Sequence, residues 1–94
     1  MHNRFRAPRP VFLGSLHVTA AARALLTHED VLAAVSCQLR GDWGEAPDWA
    51  ANDLALEQRN RVRAIHRTDA GELFWVVTDV TRGATMIALP SEYE

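Results

Sequence analysis

Hydrophobic positions recur along this chain in two rhythms. From about residue 61 to 90 they fall at every second position or in short bursts, separated by turn-forming residues. From about residue 20 to 58 they recur at three- and four-residue spacing. The first rhythm predicts strands over Arg61–Thr68, Glu72–Asp79 and Ala84–Pro90. Asp69-Ala70-Gly71 fits a three-residue hairpin loop with glycine in the left-handed position, and Val80-Thr81-Arg82-Gly83 leads into the last strand. The second rhythm predicts helices. Thr19 caps an alanine-rich stretch, Ala20–Leu26. Thr27 caps the next helix, which carries Glu29 and Asp30 in its first turn, where the helix dipole favours acids. Its apolar stripe is Val31, Leu32, Val35 and Leu39, and Gly41 stops it. A third helix runs from about Asp48 to Asn60 behind Pro47, with Ala51, Leu54, Ala55 and Gln58 facing inward. Ahead of all these, Val11–Thr19 has the composition of an edge or bulged strand interrupted at Gly14. The fold class is α+β: an N-terminal strand and two to three short helices, then a three-stranded antiparallel β-meander with room for the first strand at an edge.

The hairpin fixes a register. With Thr68 opposite Glu72, Arg67 faces Leu73, His66 faces Phe74 and Ala64 faces Val76. Strand alternation then puts Val62, Ala64, His66, Phe74 and Val76 on one face, the expected core beneath the helices. The other face carries Arg61, Arg63, Ile65, Arg67, Leu73, Trp75, Val77 and Asp79, with Arg61 set to pair with Asp79 across the strands. A tryptophan among arginines on an open sheet reads as a contact surface. Packing of that face on the N-terminal arm or on a second subunit explains it equally well.

Composition narrows the class without naming a function. With 94 residues, 48% of them hydrophobic and 23% charged, the chain has the usage of one ordinary globular domain, read as a basic arm over 1–10 and a single domain over 11–94. No apolar run approaches the roughly 18–20 residues of a membrane helix, and the basic start lacks the apolar core of a secretory signal, so a cytoplasmic protein with no membrane partner is expected. Net charge is −2, which argues against a broadly basic nucleic-acid binder, but the signs are segregated. Arg4, Arg6 and Arg9 lie in the arm, acids dominate from Glu29 to Glu57, and Arg59, Arg61, Arg63 and Arg67 follow as a basic cluster.

Catalytic and cofactor chemistry has little footing, and neither an enzyme nor a cofactor is expected. Cys37 lies mid-helix among Ala, Val and Leu, the setting of a small core residue rather than a nucleophile, and as the only cysteine it can form neither an internal disulfide nor a zinc cage. His2, His17, His28 and His66 show no metal-ligand spacing, and His66 fits a core or cavity-lining histidine. The glycines Gly41 and Gly44 lack a phosphate-binding pattern.

The densest signal is Arg40-Gly41-Asp42-Trp43-Gly44 followed by Asn52-Asp53. Asn and Asp are poor helix formers, so a pair of them inside a helix calls for a tertiary reason. They tie the loop to the helix while Trp43 plugs the core, or Asp42, Trp43, Asp48 and Asp53 form an acidic, aromatic binding patch. Together with Asn52-Asp53-x-Ala55-Leu56, Trp75-x-x-Thr78-Asp79-x-x-Arg82 and Leu89-Pro90-Ser91-Glu92-Tyr93, this run resembles a family of small bacterial proteins labelled plasmid-related and carried on plasmids and integrating elements. The resemblance spans roughly Leu13 to Tyr93; it departs from the family pattern at Gln38, where histidine is common, and at Arg82-Gly83, where Arg-Ser is common. It implies an accessory role on a mobile element or phage, including inhibition of a host defence complex in the manner of anti-CRISPR proteins.

Three functional expectations follow. The first is a non-enzymatic inhibitor that binds a bacterial protein or protein–nucleic-acid complex through Asp42, Trp43, Asp48 and Asp53 or through Arg63, Arg67 and Trp75. The second is a regulator of the element that contacts nucleic acid directly through its arginines. The third is a homodimer or other homo-oligomeric accessory protein that buries its arginine–tryptophan face between copies.

Overall fold

A computed structural model describes residues 10–92; the expected basic arm lies outside them except for Pro10. Strand β1 (Ser15–Val18) leads into helices α1 (Ala20–Leu25), α2 (His28–Leu39) and α3 (Trp49–Glu57). Strands β2 (Val62–Arg67), β3 (Leu73–Asp79) and β4 (Ala84–Ala88) follow, and a 3-10 turn over Pro90–Glu92 ends the described chain. The α+β class holds. The sheet itself is four-stranded and mixed, in the order β1-β4-β3-β2, rather than a three-stranded antiparallel meander. β2, β3 and β4 run antiparallel as neighbours, and β1 joins β4 in parallel. The sequence between β1 and β4 is long enough to carry the chain around to that parallel edge, which a local reading of turns does not reveal.

The β2–β3 register agrees with the loop chemistry: Ala64 faces Val76, His66 faces Phe74 and Arg67 faces Leu73. Thr68 closes the hairpin by accepting from Gly71 N–H through its carbonyl and from Glu72 N–H through its hydroxyl. Val62, Ala64, Phe74, Val76 and Ile87 are buried on the helix-covered face and pack with Val11, Leu13, Ala22, Leu26, Ala34 and Trp43. The expected Arg61–Asp79 pair does not form. The Asp79 carboxylate turns into the β3–β4 turn instead, accepting from Arg82 N–H at 3.1 Å and facing the Arg82 guanidinium at 3.7 Å.

Helix caps follow the sequence closely. Thr19 caps α1 by accepting from Ala22 N–H, and Thr27 and Asp30 form a reciprocal capping box on α2. α2 ends with Gly41 N–H donating to the Gln38 carbonyl and Asp42 N–H to the Cys37 carbonyl. Helix rotation is less faithful. α2 turns Val31, Ala34, Val35 and Gln38 inward and leaves Leu32 and Leu39 about half exposed. Both stripes obey helical spacing; the one with a glutamine wins because the sheet beneath it offers hydroxyls. Gln38, fully buried, donates to Thr78 Oγ1 at 2.9 Å, Thr78 and Thr85 share a hydrogen bond of 2.8 Å, and Thr85 donates to the Leu13 carbonyl at 2.8 Å. This polar thread ties α2, β3, β4 and the segment before β1 into one core. α3 is also rotated: Ala51, Leu54 and Gln58 are exposed, while Asn52, Asp53, Ala55 and Leu56 are half-buried.

The predicted first strand is shorter than Val11–Thr19 because Gly14 ends it. Gly14 has φ +66, and a Cβ there would collide with the Gly83 carbonyl carbon and oxygen. That close approach lets Ser15 N–H reach the Gly83 carbonyl at 2.9 Å and start the parallel ladder. Arg59, just after α3, is the described non-glycine residue with positive φ, at 58. We expect Gly14→Ala to cost more than about 2 kcal/mol, from strain and backbone overlap together. Arg59→Gly, by contrast, should stabilise by about 0.5–1 kcal/mol through release of left-handed strain. Urea unfolding of the two variants beside the parent checks both signs.

Candidate functional site

The Asp42–Glu45 loop and α3 converge on β2, the outer strand on that side of the sheet. In β2 the backbone groups of Arg63 and Ile65 point away from β3. The Asn52 side chain meets the first: its Nδ2 donates to the Arg63 carbonyl at 2.9 Å and its Oδ1 accepts from Arg63 N–H at 3.2 Å. The loop meets the second, with Ile65 N–H donating to the Trp43 carbonyl and Glu45 N–H donating to the Ile65 carbonyl. An amide side chain and a single loop bridge thus do the work of a fifth strand. Gly44, at the bridge, has φ +62, and a Cβ there would overlap the Ile65 carbonyl and crowd the His66 ring.

Each acidic candidate is used within this construction. Asp42 Oδ1 accepts from Gly44 N–H at 2.9 Å and sets the turn. Asp48 caps α3 by accepting from Ala51 N–H at 2.9 Å. Asp53 Oδ1 accepts from the Trp43 indole N–H at 2.8 Å. Trp43 has no exposed surface, which corrects the expectation that its ring touches a partner: a large aromatic beside Ala46, Val62 and Ala64 gains more from the core than from solvent. Trp49, half-buried, donates its own indole N–H to the Gly44 carbonyl at 3.0 Å.

Arg67 is likewise engaged. Its guanidinium makes two bonds of 3.0 Å to the Glu45 carboxylate and a third to the Gly71 carbonyl, clamping the loop to the β2–β3 hairpin. Bonding to Arg67 holds the Glu45 carboxyl below the usual carboxylate range, and Glu45 in turn raises Arg67. Nothing in the local sequence marks Glu45 as this partner, since the two residues meet only in the folded sheet.

Arg63 and Trp75 come together on the open face, with the Arg63 guanidinium carbon 4.2 Å from the indole ring centroid. Arg61 stands beside them. Neither Arg61 nor Arg63 pairs with a carboxylate among the described residues. Two cavities meet at Arg61 and Val77: one of about 320 Å3, reaching Asp48, Asn52 and Arg63, and one of about 160 Å3, reaching His17, Arg82 and Met86. Val77, expected on the open surface, is only 5% exposed because it forms their floor. The open face therefore has arginine walls around an apolar base. Asp42, Trp43 and Asp53 are engaged at the β2 edge instead, while Asp48 lines the larger cavity together with Arg61 and Arg63.

The remaining titratable groups are subdued. Burial pushes the Cys37 thiol up, with Asp42 adding to the shift, so the sulfur is a protonated thiol at neutral pH. Burial pushes His66 below its ordinary value of 6.5, against the opposing pull of Asp42 and Glu45, and its Nε2 is buried with no hydrogen-bond partner among the described residues. Among the described residues no group of histidine, cysteine and carboxylate side chains could hold a metal ion, and no helix is long and apolar enough to cross a membrane. No family model, curated protein or solved structure matches the chain.

Reversing Asp42, Asp48 and Asp53 to lysine should unfold the domain, because three hydrogen-bond acceptors are lost and the buried Trp43 N–H is stranded. Asp53→Ala alone should cost about 1–3 kcal/mol, and Asp48→Ala about 1 kcal/mol; denaturant midpoints distinguish them from the parent. For His66 the folded state favours the neutral ring, so the unfolded state binds the proton more readily. Its contribution is complete above the unfolded value of about 6.5 and is lost as pH falls through the lower folded value. Stability followed from pH 7.5 downward should fall in the parent and fall less in His66→Gln.

Proposed function

We propose that this chain is a non-enzymatic interaction protein that binds an acidic protein partner across the open face of its sheet, around Arg61, Arg63 and Trp75. The observation that carries this reading is the Arg63–Trp75 stack beside two cavities, with Arg61 and Arg63 side chains that no carboxylate among the described residues neutralises. Arginine and tryptophan are the side chains most often found at the energetic centre of interfaces, where a flat ring and a guanidinium fork combine apolar contact with carboxylate recognition. Segregated cations also steer an acidic partner despite the net charge of −2, because encounter depends on the local field. The acidic residues of the loop and α3 support the fold in this reading. The resemblance to plasmid-related proteins supports a partner within a host defence complex.

A tagged parent chain passed through lysate of a CRISPR-bearing bacterium should retain one defence complex, identified by mass spectrometry. Arg61→Glu/Arg63→Glu, folded by circular dichroism, should weaken that capture by about thirtyfold or more, the loss expected from removal of an interface centre. Leu54→Ser, on the exposed side of α3, should capture as the parent does. Equal capture by the folded double variant overturns the reading. Binding of single-stranded nucleic acid instead, weakening steeply as salt rises, would assign the same arginines to phosphate.

A further inference from the structure

The two edges of the sheet are finished differently. At β2 the outward backbone groups of Arg63 and Ile65 are met by Asn52, Trp43 and Glu45. At β1 the ladder to β4 uses Ser15 N–H, bonded to the Gly83 carbonyl at 2.9 Å, and continues to Thr19 N–H, bonded to the Ile87 carbonyl at 3.0 Å. Successive residues of a strand direct their backbone groups to opposite sides, so Ser15, His17 and Thr19 turn toward β4 while Leu16 and Val18 turn outward. The Val18 carbonyl accepts from the Arg23 guanidinium at 3.3 Å. Leu16 keeps both its N–H and its carbonyl without a partner among the described residues. Its side chain is 44% exposed, and Phe12, 68% exposed, packs near Gly83 where this edge begins. Ser15–Val18 carries no proline, lysine, arginine or carboxylate, the residues that most often keep edges from pairing.

We propose that β1 binds a second copy of this chain, the two β1 strands pairing antiparallel about a twofold axis at Leu16 to join the two sheets into one of eight strands. Symmetry selects this occupant. A twofold axis at an outward-facing residue places that residue opposite itself, so Leu16 N–H donates to the Leu16 carbonyl of the copy while its own carbonyl accepts in return. Leu16, with both outward groups unmet among the described residues, satisfies them in a single reciprocal pair, whereas Arg67, the outward residue at the end of β2 whose backbone groups are also unmet there, would set its charge against its own twin. The same operation sets the two exposed leucine side chains in cross-strand contact, and no formal charge is brought opposite a like charge. The face carrying Arg61, Arg63 and Trp75 stays outside this contact, so the pairing stands independently of the partner proposed for that face. The edge is short, which makes the dimer concentration-dependent.

Sedimentation equilibrium of the full chain tests the pairing. The parent should rise from the 10.5 kDa monomer toward twice that mass as concentration increases into the sub-millimolar range. Leu16→Pro removes the outward donor while breaking no bond to β4, since an edge strand tolerates proline where its N–H faces solvent. Leu16→Lys places a charge beside its own twin and serves if the proline variant fails to fold. Either folded variant should raise the dissociation constant at least tenfold. In a Cys37→Ser background, Leu16→Cys should form an intermolecular disulfide under mild oxidation, because directly paired residues lie about 5.5 Å apart at Cα, and Val18→Cys should not. A parent that stays monomeric throughout overturns the proposal. So does association unchanged in the folded Leu16 variants, or crosslinking at Val18 as readily as at Leu16.

Discussion

An indole buried without exposed surface needs an acceptor for its N–H, and meeting that need for Trp43 organises the β2 side of the molecule. Asp53 provides the acceptor, which fixes the rotation of α3. The rotation then carries Asn52 to the β2 edge, where its amide reproduces the hydrogen bonding of a neighbouring strand. The same tryptophan offers its own carbonyl to Ile65 N–H, so one residue fills the core with its ring and closes the sheet with its backbone. Gly44 permits the close approach, Asp42 sets the turn, and Arg67 with Glu45 locks the loop to the hairpin. Removing the indole would release a series of contacts that depend on one another.

A second constraint runs through the centre. Thr78 and Thr85 occupy core positions on neighbouring strands, and a buried hydroxyl without a partner costs more than an apolar side chain would. Gln38 reaches down from α2 and the Leu13 carbonyl reaches across from before β1, so the hydroxyls are satisfied by elements far apart in the chain. Polar bonds of this kind specify an arrangement that apolar packing alone would leave free to slide. The C-terminal turn is held in a similar way: Glu92 accepts from the Thr19 hydroxyl and from Leu89 N–H, which joins the end of the described chain to the start of α1.

These two constraints also account for how much could be read in advance. The hairpin register, both helix caps and the Gly41 stop were legible because each depends on residues within a few positions of one another. The rotations of α2 and α3 were not. Leu32 and Leu39 are more hydrophobic than Ala34 and Gln38, but the inward positions were decided by hydroxyls on strands about forty residues away. The candidate residues divided along the same line. Asn52 and Asp53 stood out in the sequence as misfits in a helix, which correctly signalled a tertiary demand. That the demand was a sheet edge and an indole became visible only with β2 in place. Arg63 and Trp75 were placed on one face by strand alternation alone, whereas the capture of Arg67 by Glu45 had no local sign.

By itself the sequence determined the α+β class, the caps, the hairpin and its two faces, since short-range periodicity and turn chemistry are properties of neighbouring residues. The tertiary structure decided the parallel seat of β1 beside β4, the direction each helix faces, and which polar side chains belong to the fold and which to the surface. Those outcomes rest on hydrogen-bond partners supplied from distant parts of the chain. Most buried polar groups find such a partner, and the group's own neighbourhood in the sequence does not say where it will be.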